Sequence, residues 1–218
     1  MATGTLDADR AQALALTPVS RETAARLDRF VELLLKWQES TNLIASSTIR
    51  NLWTRHIADS LQLLDLAPDA QLWVDMGSGA GFPGLMIAIA LCERPGAEVH
   101  LIESNAKKAA FLREAAALTG SPAVVHGVRM EKFVESFAGA ADIVTARAVS
   151  PLDSLLAQCF PLLKRGGRGL FPKGQDVVAE LTVASKYWNI AADLVPSRTD
   201  PRARIVLVRA LERRPQVP

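Results

Sequence analysis

One acidic residue and a series of glycines follow a short apolar run in the segment VDMGSGAGFPG, residues 74–84. Gly77 and Gly79 allow a tight turn and a close approach of the backbone to a ligand, and Asp75 offers a carboxylate for a cationic group. A second carboxylate, Glu103, lies 19 residues after this segment ends (103 − 84), near the spacing of about 20 residues for a carboxylate that binds ribose hydroxyls. These positions favour a nucleoside-like ligand over a turn that binds nothing.

The spacing of the glycines argues against a nicotinamide dinucleotide. That fingerprint requires a third glycine at position 82, where the chain has Phe82. The pattern that is present, Asp-x-Gly-x-Gly-x-Gly from Asp75 to Gly81, resembles the first motif of class I S-adenosylmethionine-dependent methyltransferases. The motif indicates the cofactor and leaves the methyl acceptor open.

Two helical patterns precede the glycine segment. Apolar residues recur at helical spacing over residues 20–40, with Ser20 as the expected N-cap. The pattern resumes from Ile49 to Leu64 and ends before Pro68. The sequence therefore predicts helices before the glycine segment begins.

From Leu72 onward, short apolar runs alternate with helical stretches. That alternation is typical of a mainly parallel sheet covered by helices. We expect an α/β fold of the class I methyltransferase type, with a Rossmann-like domain over residues 69–218. An N-terminal helical extension is expected over residues 1–68.

The composition indicates an ordinary globular protein with one sizeable core. Of 218 residues, 49% are hydrophobic and 22% charged, and the net charge of +2 does not by itself indicate a polyanionic partner. Cys92 and Cys159 have neither metal-site nor disulfide-framework spacing, so we expect packing thiols in a reducing, cytoplasmic setting. No signal peptide, membrane span or metal site is predicted from the sequence.

Further segments carry a resemblance to one family. In chain order they are KWQESTNLI, RHIADSL, DMGSGAGFPG, LIESNAKKAAFLREA, TARAV and FPKG. Over roughly residues 35–175 they resemble the bacterial ribosomal RNA small-subunit methyltransferase G family, also called glucose-inhibited division protein B. The resemblance implies that S-adenosylmethionine methylates N-7 of one guanosine in the decoding region of 16S ribosomal RNA. We expect 16S ribosomal RNA or the small ribosomal subunit as the partner, and a monomer.

The same resemblance implies roles for individual residues. It places Glu103 at the cofactor's ribose, and Met130 and Glu131 of RMEKF at its adenine. The cofactor-binding residues expected in total are Asp75, Gly77, Gly79, Gly81, Phe82, Glu103, Met130, Glu131 and Arg147.

The expected catalytic residues are Arg147 of TARAV, beside the cofactor and near the target base, and Lys173 of FPKG, on the substrate side. Two residues of the amino-terminal segment depart from the family pattern. Thr41 stands where a tyrosine is common, and Ile44 where a threonine is usual.

Reasoning from the residues alone leaves two other functions open: methylation of another substrate, such as ribose or a small molecule, and a non-enzymatic role in RNA binding or ribosome assembly. Cysteine-dependent methylation of a pyrimidine carbon is disfavoured because both thiols fall in predicted helices. Ribose methylation stays open because Asp142 and Lys173 both fall near strand ends. Guanine N-7 carries a lone pair and no proton, so its methylation needs alignment rather than a general base.

His56 of RHIADS lies close to the apolar stripe of its predicted helix, which favours a packed, hydrogen-bonded histidine. Arg55 and Asp59 have the i, i+4 spacing of an ion pair. The clustered segments KRGGR, at a helix end, and RALERRP, at the carboxy terminus, are better candidates for phosphate contact than isolated charges on helices. The basic residues considered for RNA are Lys36, Arg50, Arg55, Lys164, Arg165, Arg168 and Lys173.

Overall fold

A seven-stranded sheet forms the centre of the computed structural model, which describes residues 2–215. Its strands are β1 (Leu72–Met76), β2 (Glu98–Ile102), β3 (Ala123–His126), β4 (Ile143–Thr145), β5 (Arg168–Lys173), β6 (Trp188–Pro196) and β7 (Arg204–Arg213). The spatial order is β3-β2-β1-β4-β5-β7-β6. Strands β1 to β5 are parallel, and β7 is antiparallel to both β5 and β6. The mainly parallel sheet predicted from the alternating pattern is confirmed.

Helices cover both faces of this sheet. They are α1 (Ala2–Leu16), α2 (Arg21–Gln38), α3 (Asp59–Leu61), α4 (Gly84–Ala90), α5 (Ala106–Thr119), α6 (Met130–Ser136), α7 (Leu152–Leu163) and α8 (Val177–Ala184). Within the described residues, none of these helices has the length and apolarity needed to cross a membrane.

The first predicted helix is confirmed as α2. The Ser20 hydroxyl accepts a hydrogen bond from the Thr23 N–H (3.1 Å), as an N-cap does, and the buried stripe includes Leu27, Phe30 and Leu34. Helix α2 therefore presents the face expected from its spacing to the core.

The second predicted helix is not a regular α-helix. It consists of 3-10 turns at Ser46–Asn51 and Gln62–Leu66, a π-helical segment at Trp53–Ala58, and the single turn α3. The Asp9 carboxylate on α1 accepts the N–H groups of Trp53 (2.7 Å) and Thr54 (3.2 Å), so α1 supplies acceptors at the start of the π turn. Such π turns occur frequently at functional sites.

The amino-terminal helices share a core with the sheet. One apolar cluster joins Phe30 of α2 and Ile57 of the π turn to Trp73 of β1 and Leu101 of β2. A second cluster covers the other face of the sheet and contains the buried Cys159. The boundary at residue 68 is thus a change of secondary structure within continuous packing, and its status as a domain boundary stays a prediction.

The carboxyl ends of the parallel strands meet at one edge of the sheet, where open α/β sheets bind ligands. Strands β1, β2 and β4 end there at Met76, Ile102 and Thr145. Because β7 is antiparallel to β5 and pairs Arg204 with Lys173, the β6–β7 hairpin also reaches this edge. The glycine turn, the β4–α7 loop and that hairpin are therefore brought together.

Candidate active site

Three residues of the glycine turn after β1 have backbone conformations that favour glycine. Gly77, Gly79 and Gly81 have φ values of 75°, 58° and 93°. A Cβ on Gly77 would lie 2.7 Å from Met130 Cε, whereas a Cβ on Gly79 would meet only the Gly77 carbonyl oxygen, at 3.9 Å. Gly77 thus permits close packing within the protein, and Gly79 faces open space that a ligand can approach.

Glu103 at the end of β2 fixes this turn from the side. Its Oε2 accepts a hydrogen bond from the Gly79 N–H (2.9 Å), and its Oε1 accepts one from the Asn105 N–H (2.7 Å). The residue is 9% exposed. The predicted ribose-binding carboxylate therefore lies against the glycine turn, as its spacing in the sequence requires.

Asp75 has a different position from the one expected of a direct ligand contact. It is 0% exposed, with Oδ1 accepting from the Thr145 hydroxyl (2.7 Å) and Oδ2 from the Gly84 N–H (3.1 Å). Burial raises the pKa of Asp75, and these hydrogen bonds oppose the shift. The carboxylate lies beneath the turn, where it joins β1 to β4 and to the start of α4, so it positions the turn instead of facing a ligand.

Met130 and Glu131 begin helix α6 on the opposite side of the turn. Met130 packs against Gly77, and the Glu131 side chain is exposed. Both residues lie beside the glycine turn, and their contact with the adenine ring of the cofactor stays a prediction.

Arg147, on the loop after β4, is held by the amino-terminal segment. Its guanidinium donates to the Arg55 carbonyl oxygen (3.1 Å) and to His56 Nδ1 (2.8 Å), and it forms an ion pair with Asp59 at 3.4 Å. Its Cζ atom lies 5.1 Å from the centroid of the Phe82 ring. Burial lowers the pKa of Arg147 and the Asp59 charge opposes this, but a guanidinium stays protonated in a protein.

Lys173 at the end of β5 is largely buried, and two of its three N–H donors are used within the protein. Its ammonium donates to the Ser150 carbonyl oxygen (2.8 Å) and to Glu180 Oε2 (2.8 Å). Glu180 also accepts the N–H of Leu152 (2.7 Å), at the start of α7. The lysine therefore holds the β4–α7 loop, which carries Arg147, onto the edge of the sheet.

A cleft of about 970 Å³ opens beside these residues. Its walls come from the amino-terminal segment, the β4–α7 loop and the β6–β7 hairpin, and they include Thr48, His56, Arg147, Lys173, Asp200 and Arg204. Gly79 and Glu103 lie outside these walls. The edge of the sheet thus has two compartments, the glycine turn and the cleft, with Arg147 between them.

Comparison with known proteins agrees with the motifs and with this arrangement. Residues 23–202 match the family model described as rRNA small subunit methyltransferase G. The ribosomal RNA small subunit methyltransferase G of Bradyrhizobium sp. strain BTAi1 is 60% identical over 98% of this chain and 96% of its own length. That of Methylobacterium radiotolerans is 56% identical over 94% of this chain and 96% of its own. The chain belongs to this family.

Solved structures support the fold of this methyltransferase G family member. A putative O-methyltransferase from Klebsiella pneumoniae superimposes with a TM-score of 0.60 at 13% identity, covering 94% of this chain and 96% of its own. An O-methyltransferase from Bacillus cereus, solved in complex with SAH, has a TM-score of 0.56 at 14% identity over 82% and 90% of the two chains. The predicted class I methyltransferase fold is confirmed.

The site fits S-adenosylmethionine, the cofactor expected for this family and fold. The open face of Gly79 permits close approach of the backbone, and the Glu103 carboxylate lies beside it. Because each carboxylate oxygen has two lone pairs, Glu103 can accept ribose hydroxyls while it keeps its two backbone partners. Gly79 and Glu103 are the residues that would hold the cofactor, whereas the expected contacts of Gly77, Gly81 and Phe82 with it stay predictions.

Sequence reasoning missed several residues of this methyltransferase site. The expected Arg55–Asp59 ion pair was wrong: Asp59 faces Arg147, and Arg55 Nη1 lies 3.9 Å from Asp200. The π turn changes the spacing on which the i, i+4 rule depends. Glu180 has no recognisable local signal, because its partners, Lys173 and Leu152, are brought to it only by the folded chain.

Proposed function

We propose that this chain transfers the methyl group of S-adenosylmethionine to N-7 of one guanosine in the decoding region of 16S ribosomal RNA. The family match over residues 23–202 gives the class of substrate. The observation that supports N-7 as the methyl-accepting atom is the chemistry of the cleft beside the glycine turn. Its lining includes the hydrogen-bond donors Arg147 and Lys173, while its carboxylates, those of Asp9, Asp59, Glu180 and Asp200, already accept hydrogen bonds from within the protein.

When bound, the cofactor supplies an electrophilic methyl group on a positively charged sulfur. Guanine N-7 attacks with an in-plane lone pair and releases no proton, so the reaction requires no general base. Arg147 and Lys173 then contribute by holding and orienting the purine for in-line transfer. His56 is not available as a base, because its Nδ1 accepts a hydrogen bond from Arg147.

The positions of other reactive groups argue against the competing reactions. Cys159 is 0% exposed, and burial raises the pKa of its thiol, so it is not a nucleophile for a pyrimidine carbon. Asp142 lies at the amino end of β4, where its Oδ2 accepts the N–H groups of Gln71 and Leu72 at the start of β1. Lys173 ends β5 at the other edge of the sheet. The Asp142–Lys173 pair considered for ribose methylation is therefore wrong.

The RNA-binding surface proposed here is the rim of the cleft. Arg55 is exposed there (59% of its side chain), and Arg204 lines the wall. The segment KRGGR, by contrast, precedes and begins β5, so Lys164, Arg165 and Arg168 lie at the edge of the sheet away from the cleft. The sequence-based preference for KRGGR as the RNA contact is not supported by this placement.

The partner that follows from this proposal is 16S ribosomal RNA, either free or within the small subunit, and the setting is the cytoplasm. A monomer is sufficient for the proposed reaction, because one chain supplies the glycine turn, Arg147 and every wall of the cleft.

Nucleoside analysis of 16S ribosomal RNA tests the proposed function. Cells that lack this protein should lose one 7-methylguanosine, and the wild-type gene should restore it. A Gly79→Val gene should not restore it, because the variant blocks the approach of the cofactor. Unchanged 7-methylguanosine in the deleted strain, or loss of a 2′-O-methyl or N-methylamino nucleoside instead, would reject N-7 methylation.

A further inference from the structure

His56 contacts two residues of the active site although it belongs to the amino-terminal helical segment. Its ring stacks on Phe82, with centroids 4.9 Å apart and planes inclined by 27°. Its Nδ1 accepts a hydrogen bond from Arg147 Nη2 (2.8 Å). The Arg147 guanidinium lies against the same Phe82 ring. The three side chains thus form one packed group between the glycine turn and the cleft.

The hydrogen bonds of Thr48 determine the protonation of this histidine. The Thr48 hydroxyl donates its only hydrogen to the Ala45 carbonyl oxygen (2.7 Å), so it can only accept in its contact with His56 Nε2 (2.9 Å). Nε2 therefore carries the hydrogen, and Nδ1 of the neutral ring has a lone pair for Arg147. Burial, together with the charges of Arg147 and Arg55, lowers the pKa of His56 to about 3, in agreement with a neutral ring.

We propose that His56 is a positioning residue for the methyl-transfer reaction, acting through Arg147, with Thr48 holding its ring in the required tautomer. The inference rests on the proposed function in taking Arg147 as a residue that contacts cofactor or target base. It gives the amino-terminal segment a role in the reaction in addition to its role in packing.

The geometry of Arg147 explains why such a residue is needed. Arginine has many rotamers, and a guanidinium that orients a base must be confined to one. Three of its five N–H donors are used by Arg55, His56 and Asp59, so two have no acceptor among residues 2–215. Those two donors can serve a ligand. The contact with His56 is the one made by Nη2, and together with the two contacts of Nη1 it fixes the plane of the group and so the direction of the remaining donors.

The alternative, in which His56 only stabilises the fold, predicts different kinetics. A structural role would change the unfolding temperature and leave the rate of the folded enzyme at saturation unaltered. A positioning role would lower the saturated rate, and the loss would depend on the presence of Arg147. A double-mutant cycle distinguishes the two.

The test measures single-turnover methylation of small ribosomal subunits from cells that lack this protein, with all components saturating. The chains compared are wild type, His56→Ala, Arg147→Ala and the double variant. His56→Ala should lower the rate about tenfold, since a hydrogen bond to a charged group is lost. In the Arg147→Ala background the same change should have less than about a twofold effect. Equal losses in both backgrounds, or an unchanged rate for His56→Ala, would overturn the proposal.

Conservative variants keep the test informative if His56→Ala fails to fold. In His56→Asn, the amide Oδ1 can occupy the place of Nδ1, and most of the rate should return. Thr48→Val removes the acceptor for Nε2–H and should lower the rate several-fold, whereas Thr48→Ser should restore it. A Thr48→Val enzyme as active as wild type would contradict the role of the tautomer.

Calorimetric titration of the same four chains with S-adenosylmethionine separates this inference from the proposed function. If wild type binds the cofactor but methylates no subunit, the proposed function fails. In that case the double-mutant cycle in cofactor affinity tests the inference. A loss of affinity on His56→Ala that disappears in the Arg147→Ala background supports the inference. An equal loss in both backgrounds, or no loss in either, overturns it.

Discussion

The backbone N–H of Gly79 donates to the Glu103 carboxylate at 2.9 Å, across 24 residues of sequence. This bond joins the turn after β1 to the end of β2. The glycine segment and the carboxylate of Glu103, which are separate features of the sequence, therefore form one structure. Because Gly79 has φ of 58° and open space before it, its lack of a side chain is the property on which ligand approach depends.

Gly79→Val should therefore abolish most cofactor binding. The added side chain would occupy the open face of the turn, and the resulting steric conflict should weaken S-adenosylmethionine affinity at least about tenfold. Isothermal titration calorimetry on the folded variant measures this directly.

Gly120→Val is the matched control. Gly120 has nearly the same φ (62°) and nothing within 4 Å of an added Cβ, but it ends α5 at the edge of the sheet away from the site. The two variants should lose similar stability because both strain a left-handed residue. Equal cofactor affinity in Gly79→Val and Gly120→Val would show that the turn does not bind the cofactor.

Local signals in the sequence were sufficient for the sheet and the glycine turn. The apolar run that begins at Leu72 predicted β1, and Ser20 predicted the start of α2. Each of these depends on residues close together in the chain, which is why spacing revealed them. The segment before the sheet was recognised as helical but not as π-helical, and its contact with Asp9, 44 residues away, has no signal in the local sequence.

The cleft could not be predicted in the same way. Asp59 takes part in it through Thr199, whose hydroxyl donates to Asp59 Oδ1 (2.7 Å) from 140 residues away. Likewise, KRGGR is more strongly clustered in sequence than the rim arginines, but only the strand directions reveal that it lies at the other edge of the sheet. The sequence gives the charge of a segment, but the topology of the sheet determines on which surface of the protein that segment lies.

Charge removal at the rim should weaken RNA binding. The exposed side chain of Arg202 pairs with Asp200 of the cleft wall, so Arg202 is included with Arg55 and Arg204. Replacing these three arginines with glutamine should reduce association with small subunits and flatten its dependence on salt. The logarithmic slope should fall by up to about 2, since each lost phosphate contact on single-stranded RNA removes about 0.7. Filter binding over a series of potassium chloride concentrations measures the slope.

The charge-matched control replaces Lys164, Arg165 and Arg168 with glutamine. It removes the same three charges from the edge of the sheet away from the cleft, so the salt slope should remain close to that of wild type. A larger change in this control than in the rim variant would place the RNA surface at KRGGR.

Protonation of His56 should contribute to the acid sensitivity of the fold. Its pKa is lowered to about 3 in the native protein, by burial and by Arg147 and Arg55, against about 6.5 when unfolded. Below pH 6.5 the unfolded chain takes up the proton first, so stability falls as pH decreases from about 6.5 towards 3. His56→Asn should remove up to about 2 kcal/mol of the difference in unfolding free energy between about pH 7 and pH 5. Urea unfolding of both proteins at the two pH values measures it, and identical differences would mean that His56 is not held neutral.

The pH dependence of the rate tests the identity of the nucleophile. If guanine N-7 attacks, no proton leaves the substrate, and positive charge passes from sulfur to the purine ring without help from a base. Burial lowers the pKa of all three histidines of the chain below the ordinary value of about 6.5, so the neutral form of each is favoured between about pH 6.5 and 8.5. Arg147 stays charged over the same range.

Single-turnover methylation with saturated substrate should therefore be nearly constant over that pH window. Arg147→Ala should lower the rate about a hundredfold, as expected for loss of a positioned charged donor, and should introduce no new pH dependence. Rapid-quench measurements with labelled cofactor supply both profiles. A rate that rises about tenfold per pH unit would mean that a base removes a proton, as in ribose or amino-group methylation. Because Asp142 lies at the other edge of the sheet, the Lys173–Glu180 pair at the cleft would then be the first candidate for that base.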